Sequence, residues 1–281
     1  MNRRKFLYTL AVGTGAGVGS VVYSRYVESY WLSVERVKIP LRPKHGGRPI
    51  ILLQLADFHV SSYVPLEFVE EAVVLGLKSR PDLVCLTGDF VTGILKDESA
   101  YARILRRLSD AAPTFASLGN HDGGAWSGGR FGYEDTTAVE QLLADSGVTC
   151  LLNASARVSI AGRQAELIGL GDLWAGNMNV GDAFAKVSSG DETVRVVMSH
   201  NPDTKTDLAS HAWDLMLCGH THGGQIRIPF VGSPFLPISD RRFAMGLHRW
   251  QNHWIYVTKG VGNLHGVRFN CRPEVTVLEV G

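Results

Sequence analysis

The 281-residue chain is poor in several things, and each absence narrows what it can be. Its four cysteines (Cys85, Cys150, Cys218 and Cys271) include no C-x-x-C pair, which excludes a zinc ribbon or a thioredoxin-type redox motif. Cys85 and Cys218 fall inside apolar runs, where a free thiol acts as a small hydrophobe, so no disulfide is expected. Charged residues make up only 20% of the chain and the formal net charge is +1, so bulk attraction to nucleic acid is not implied. Basic stripes interleaved with stacking aromatics are missing, and with them the signature of a nuclease or a stable nucleic-acid complex. There is no H-x-H-x-D-H, which disfavours a β-lactamase-like dinuclear hydrolase. No internal repeat or low-complexity tract appears beyond the N-terminal segment.

What is present is a set of seven potential metal ligands in five separated pieces. They are Asp57 and His59 in QLADFH, Asp89 in LTGDF, Asn120 in LGNHD, His200 in MSHNP, and His220 and His222 in LCGHTHGG. Each piece follows a short apolar run (IILLQLA, LVCLTG, TFASLG, VRVVMS, DLMLCG). Runs of that length, ended by Gly or a polar residue, read as buried strands. A lone Asp after a strand is ordinarily a turn or helix cap. Five strand ends delivering Asp, His and Asn to one sheet edge are how open α/β sheets build a site. The i, i+2 spacing within Asp57/His59 and His220/His222 would aim both side chains of each pair to one side if the backbone is extended. Gly223 and Gly224 allow a metal or phosphate to approach the backbone.

The motifs D-x-H, GD, GNHD, H and GHTHGG resemble the calcineurin-like metallophosphoesterase superfamily, from about residue 50 to the C-terminus. GDLWAG, WDLMLCGHTHGGQ and NCRPEVT look more specifically like the bacterial YaeI-type phosphodiesterases, a branch that also resembles enzymes cleaving UDP-2,3-diacylglucosamine in lipid A synthesis. The resemblance implies a four-layer α/β/β/α sandwich of two mixed sheets. It implies that Asp57, His59 and His222 hold one divalent metal ion and Asn120, His200 and His220 a second, with Asp89 bridging. It implies that His121 is not a ligand but stabilises the transition state or protonates the leaving oxygen, oriented by Asp122. Two such ions polarise a phosphoryl group for in-line attack by a bridging hydroxide. Two divalent ions less two carboxylates leave the site at about +2, suited to a phosphodiester anion. The mixed N/O donor set, without a thiolate, favours Mn²⁺, Fe²⁺, Co²⁺ or Zn²⁺ over a structural zinc site, and Mn²⁺ is the leading expectation.

The N-terminus carries a second signal. Arg3-Arg4-Lys5-Phe6-Leu7 resembles the twin-arginine export motif and precedes an uncharged, Gly/Ala-rich stretch from Phe6 to Tyr23. Glycines at 13, 15, 17 and 19 argue against an ordinary helix. No clear A-x-A cleavage site is present, so residues 1–30 are expected to be a leader or membrane anchor and 31–281 the catalytic domain. Basic residues before the stretch predict an enzyme outside the inner membrane, in the membrane or periplasm, delivered by the twin-arginine export machinery.

Between these signals the pattern predicts an edge strand over 33–41, helices over 65–79, 98–108 and 136–145, and hairpin-like strands from 150 onward. In the loop 123–135, Trp126, Arg130 and Phe131 are candidates to contact a base, sugar or phosphate, against the alternative of aromatics simply packed down. The apolar loop 228–237 is expected to pack in the core beneath the site; its competing reading is an acyl-chain or bilayer contact. Among Arg241, Arg242, Arg268 and Arg272, Arg268 is the leading candidate for a phosphate clamp. The function expected is a phosphodiesterase acting on a substrate that is nucleotide- or lipid-linked. The alternatives are a UDP-2,3-diacylglucosamine pyrophosphatase and, in a different class, a binding scaffold without catalysis. Scaffolds on this fold have usually lost ligands, and here every ligand position is filled.

Overall fold

The computed structural model describes residues 19–41, 48–128, 131–188 and 193–281. Among these, twelve strands form two six-stranded sheets. The first contains β1 (Ser33–Ile39), β2 (Ile50–Leu55), β3 (Leu83–Thr87), β4 (Thr114–Ser117), β5 (Thr149–Cys150) and β12 (Glu274–Val280), in the order β1-β12-β2-β3-β4-β5. The second contains β6 (Ala154–Ile160), β7 (Arg163–Gly169), β8 (Val194–Met198), β9 (Leu215–Cys218), β10 (Gly246–Trp250) and β11 (His253–Val257), in the order β10-β11-β9-β8-β7-β6. Both sheets are mixed: β2, β3 and β4 run parallel, as do β7, β8, β9 and β11, while β12 opposes β2 and β10 opposes β11.

Binary patterning explains the layering. Strand β3 (LVCLT) and strand β9 (LMLC) are buried at every position, as central strands covered on both faces must be. Edge strand β1 alternates between half-buried and exposed residues. Helices α1 (Leu66–Leu77), α2 (Glu98–Ala111) and α3 (Thr137–Asp145) cover the outer face of the first sheet, through a core that includes Val69, Val73, Leu105, Leu108 and Leu143. The crossovers β2-α1-β3 and β3-α2-β4 match those expected from the sequence. Pro65 occupies the residue just before α1, its extended backbone (ψ 157°) marking the entry. Asp97 caps α2 by accepting the Ala100 N–H at 2.8 Å. A second core lies between the sheets, built from Leu52, Leu83, Cys85, Leu167, Val196 and Leu217 among others. The fourth layer is thin: the short helix α4 (Val180–Phe184) and the 3₁₀ turn Pro202–Thr206 flank a third cluster around Met216, Trp213 and Phe243. The four-layer sandwich is therefore present, with unequal outer layers.

All four cysteines are free thiols, Cys85 and Cys218 within the core as their setting implied. Around residue 30 the chain is packed on the rest of the fold: Glu28 accepts the Cys271 N–H at 2.5 Å and the Tyr30 ring meets Phe68 edge-on at 5.3 Å. Residues 19–26 are helical, and Ser24 accepts the Arg268 N–H. The twin-arginine motif lies outside the described residues. No helix among the described residues is long and apolar enough to cross a membrane.

Candidate active site

Three parallel strands of the first sheet and two of the second are each followed within two or three residues by a predicted ligand: Asp57 after β2, Asp89 after β3, Asn120 after β4, His200 after β8 and His220 after β9. Parallel pairing places these ends on one side within each sheet, and the two sets of ends meet at the site. All seven predicted ligands are buried.

They converge closely. His59 Nε2 lies 3.0 Å from His222 Nε2 and 3.4 Å from Asp89 Oδ2. His200 Nε2 lies 3.0 Å from Asp89 Oδ2, and His222 Nε2 lies 3.6 Å from Asp57 Oδ1. Asp57, His59 and His222 form one cluster of ligand atoms, and Asp57, Asp89 and His200 another. Asp89 also meets His59 and His121 in a third, and its Oδ2 lies nearer to His59 Nε2 and His200 Nε2 (3.4 and 3.0 Å) than Asp57 Oδ1 does (3.9 and 4.0 Å), which gives it the central position. The His220 ring sits 5.0 Å from His200 (centroid to centroid).

The backbone reason differs from the expected one. Extended i, i+2 pairs were expected to align their side chains. Instead Asp57, His59, Asp89, His220 and His222 all occupy the left-handed region, with φ of 52°, 48°, 56°, 70° and 50°. That conformation is unfavourable for residues with a Cβ and persists only where surrounding contacts enforce it, commonly at functional sites. Here the enforcing contacts are visible. Asp57 Oδ1 accepts the His220 N–H at 2.9 Å, and Asp89 Oδ1 accepts the His121 N–H at 2.8 Å, so each loop pins its neighbour.

The imidazoles are oriented from behind. His59 Nδ1 is 2.6 Å from Thr92 Oγ1 and His200 Nδ1 is 2.8 Å from the Thr87 carbonyl, leaving both Nε2 atoms facing the cluster. Burial depresses His59 and His222 well below the usual imidazole range and brings His220 down to about 3, so their ring nitrogens are available as neutral donors. Burial pushes the Asp57 carboxyl up to about 7, against the pull of His200. Burial opposes ionisation of Asp89 too, but the His200 and His121 imidazoles outweigh it and hold Asp89 well below the usual carboxylate range. Two carboxylates crowded among buried imidazoles make a site short of positive charge. Asp57 Oδ2 and Asn120 Oδ1 are buried with no hydrogen-bond partner, and a buried polar atom left so costs about 1–3 kcal/mol. Divalent cations satisfy both needs, and the N/O donor set suits them.

Two expected roles are corrected. Asp122 does not touch the His121 ring: its carboxylate accepts the N–H groups of Asp89 (2.8 Å), Gly119 (2.8 Å) and Phe90 (2.6 Å). It therefore holds the two ligand loops together, while His121 Nδ1 has no partner. Burial, then the Asp89 charge, pushes Asp122 up to about 8. Arg268 is not a phosphate clamp. It is fully buried, and its guanidinium donates to the carbonyls of Gly262, Cys271, Lys259 and Gly260. Four carbonyls converging on one cation fix the loop behind His222, whose Nδ1 is 3.4 Å away.

Trp126 is at the site, its ring 4.3 Å from His121 and stacked on Phe131 at 5.0 Å. Arg130 lies outside the described residues. Trp174 and Asp172 of GDLWAG went unassigned from sequence, although the phrase stands out. Trp174 meets His220 edge-on at 4.5 Å and Trp126 at 6.1 Å, and Asp172 accepts the Trp174 and Ala175 N–H groups to hold it there. An aromatic wall thus flanks both His121 and His220. On the other side is a cavity of about 680 Å³ lined by His220, His222, Ile226, Phe235, Leu236 and Leu264. The loop behind much of that lining is not core: Phe230 is fully exposed, and Val231 and Phe235 are 71% and 75% exposed. The expectation that 228–237 packs beneath the site is overturned, because the loop forms the rim of the cavity.

This fold and cluster define a metal-dependent phosphoester hydrolase. Residues 50–224 match the calcineurin-like phosphoesterase family model, and the chain belongs to that family. Along its whole length it is 41% identical to phosphodiesterase YaeI of Escherichia coli (strain K12), covering 99% of that protein. It is 30% identical to the metallophosphoesterase YkuE of Bacillus subtilis (strain 168), covering 99% of this chain and 97% of that one. UDP-2,3-diacylglucosamine pyrophosphatase LpxG of Chlamydia trachomatis serovar D (strain ATCC VR-885 / DSM 19411 / UW-3/Cx) is a more distant relative, at 24% identity over 92% of each chain.

Proposed function

We propose that the chain is a dinuclear, manganese-preferring phosphodiesterase, with Fe²⁺, Co²⁺ or Zn²⁺ able to substitute. In this reading Asp57, His59 and His222 hold one ion, Asn120, His200 and His220 the other, and Asp89 serves both. The observation that carries it is the central place of Asp89, whose Oδ2 is within 3.4 Å of His59 Nε2 and 3.0 Å of His200 Nε2. The ions would supply Lewis-acid polarisation of the phosphoryl oxygens and a nucleophile active at neutral pH. The remaining work belongs to side chains. Thr92 and the Thr87 carbonyl keep His59 and His200 in the ligating orientation. His121 donates a proton or hydrogen bond to the leaving oxygen, and the Trp126–Trp174 wall excludes water from it. Asp122 keeps the loops of Asp89 and Asn120 in register. Asp89→Asn should abolish activity and lower metal content. A variant keeping both ions and more than about a tenth of the wild-type rate contradicts the bridging assignment.

A second reading, a pyrophosphohydrolase acting on a UDP-2,3-diacylglucosamine-like substrate, draws on the apolar cavity beside the histidines and the similarity to LpxG. Turnover of a chromogenic diester, a monoester, a cyclic nucleotide and a UDP-linked lipid, measured side by side, separates the two. For localisation, Arg3-Arg4-Lys5 before an uncharged run supports export by the twin-arginine route to the inner membrane or periplasm. Replacing Arg3 and Arg4 with Lys should block export while lysate activity is kept; normal export of that variant contradicts the route.

A further inference from the structure

We propose that the loop over residues 226–237 and the helical segment over residues 19–26 form one surface that seats on an anionic phospholipid bilayer. The mouth of the metal site would then open at headgroup level. The proposal adds a partner to the phosphoesterase reading and rests on that reading only for its consequence.

The loop is constructed for display. Ile228 and Gly232 exchange both backbone hydrogen bonds, each at 2.9 Å, closing a tight turn with Phe230 near its tip. Phe230 sits at φ 67°, a conformation that bulky residues avoid, and it is fully exposed. A strained backbone presenting an unburied phenyl ring is unfavourable twice over in water, and both features make sense where the ring meets an apolar phase. Val231, Ile228 and Phe235 extend the same exposed apolar surface down to the cavity that holds His220 and His222.

The N-terminal segment is continuous with this surface. The turn over 264–269, which ends in an isolated bridge between Phe269 and Ile226, lies between them: Arg227 N–H donates to Phe269 O at 2.8 Å on one side, and Arg25 donates to the carbonyls of His265 (2.9 Å) and Gly266 (3.0 Å) on the other. Leu264 and Val267 of that stretch line the same cavity. The 19–26 segment exposes Val21, Val22, Tyr23 and Tyr26, and Trp31 follows with Arg272 stacked on it at 4.0 Å. Aromatic rings backed by arginines are the side chains favoured at a membrane–water interface. In sequence, the uncharged run from Phe6 to Tyr23 ends within this helical segment.

Charge selects the occupant. Residues 19–31, 225–243 and 262–273 together carry six arginines and two carboxylates, Glu28 and Asp240, a net +4 in a chain whose total is +1. Glu28 and Arg268 are both buried and cancel, and Asp240 is paired with Arg242 at 2.7 Å, so the remaining charge of this surface is positive. A second copy of the chain would bring like charges together, whereas anionic headgroups complement them.

The test uses the full chain with Val231→Cys carrying an environment-sensitive fluorophore. Cys85, Cys218 and Cys271 are buried, and the unsubstituted protein provides the blank for Cys150. Vesicles of phosphatidylcholine with phosphatidylglycerol should give a blue-shifted, intensified emission that brominated lipid quenches, with a weaker response on phosphatidylcholine alone. The same label at Gln141→Cys on α3 should stay in water. A label at 231 that remains in water on vesicles with which the protein sediments overturns the proposal, as does failure to sediment. A blue shift that grows with protein concentration without lipid assigns the face to self-association and also overturns it. Hydrolysis of a soluble chromogenic diester by the same labelled protein tests the catalytic reading separately.

Discussion

His121 is the residue whose position most constrains the chemistry. It follows Asn120 at the end of β4, its backbone N–H is held by Asp89, and its Nδ1 carries no partner while its ring packs on Trp126. A ligand would be expected to have its ring fixed from behind, as His59 and His200 do. His121→Ala should therefore keep about two ions per chain while the rate falls roughly 10²–10⁴-fold, the usual worth of a general acid. The loss should shrink for a nitrophenolate leaving group, which needs no proton. Metal content measured alongside rates for a leaving-group series checks both halves. Loss of one ion would make His121 a ligand, and an equal loss across leaving groups would assign it charge stabilisation alone. Residue identity made the ligand set legible because Asp, His and Asn after apolar runs have few other reasons to recur in that order. It could not reveal that Arg268 is satisfied by four carbonyls or that Asp122 serves three amides, since backbone partners leave no trace in side-chain pattern.

At the scale of elements, what matters is how tightly the strand ends approach one another. Gly219 precedes His220 directly, and a Cβ there would lie 2.5 Å from Asp57 Oδ2; one on Gly119 would lie 2.6 Å from the Asp89 nitrogen. Neither position needs an unusual φ, so the requirement is for space alone. Gly219→Ala should leave the fold intact but push the Asp57 carboxylate aside, costing about 1–3 kcal/mol of stability through overpacking and lowering metal occupancy. Thermal unfolding with metal analysis checks this; full occupancy at an unchanged Tm would mean the loop relaxes freely. Helices and strands were legible because helical and alternating periods are distinct, and α1, α2 and α3 lie within a few residues of expectation. The burial expected of the loop 228–237 fails for a physical reason: apolar content argues burial only if a neighbour covers it, and neighbours are set by tertiary placement. Trp174 stayed unassigned because nothing local indicates that its loop folds back onto His220.

The whole molecule is two mixed sheets, helices on the first sheet, and a site where the ends of β2, β3, β4, β8 and β9 meet. One rim of that site is aromatic and the other apolar and basic. The segment over residues 19–26 joins the second rim through Arg25 and Ser24, which ties it to the catalytic face. The central claim is that the buried Asp/His/Asn cluster is a two-ion centre for phosphodiester hydrolysis. Titration of chelator-stripped protein with Mn²⁺, following bound metal and diester hydrolysis in one sample, tests it most directly. The account predicts that bound metal saturates at about two ions per chain and that activity returns only as the second is filled. Saturation at one ion with full activity, or hydrolysis that persists after the metal is removed, would contradict it.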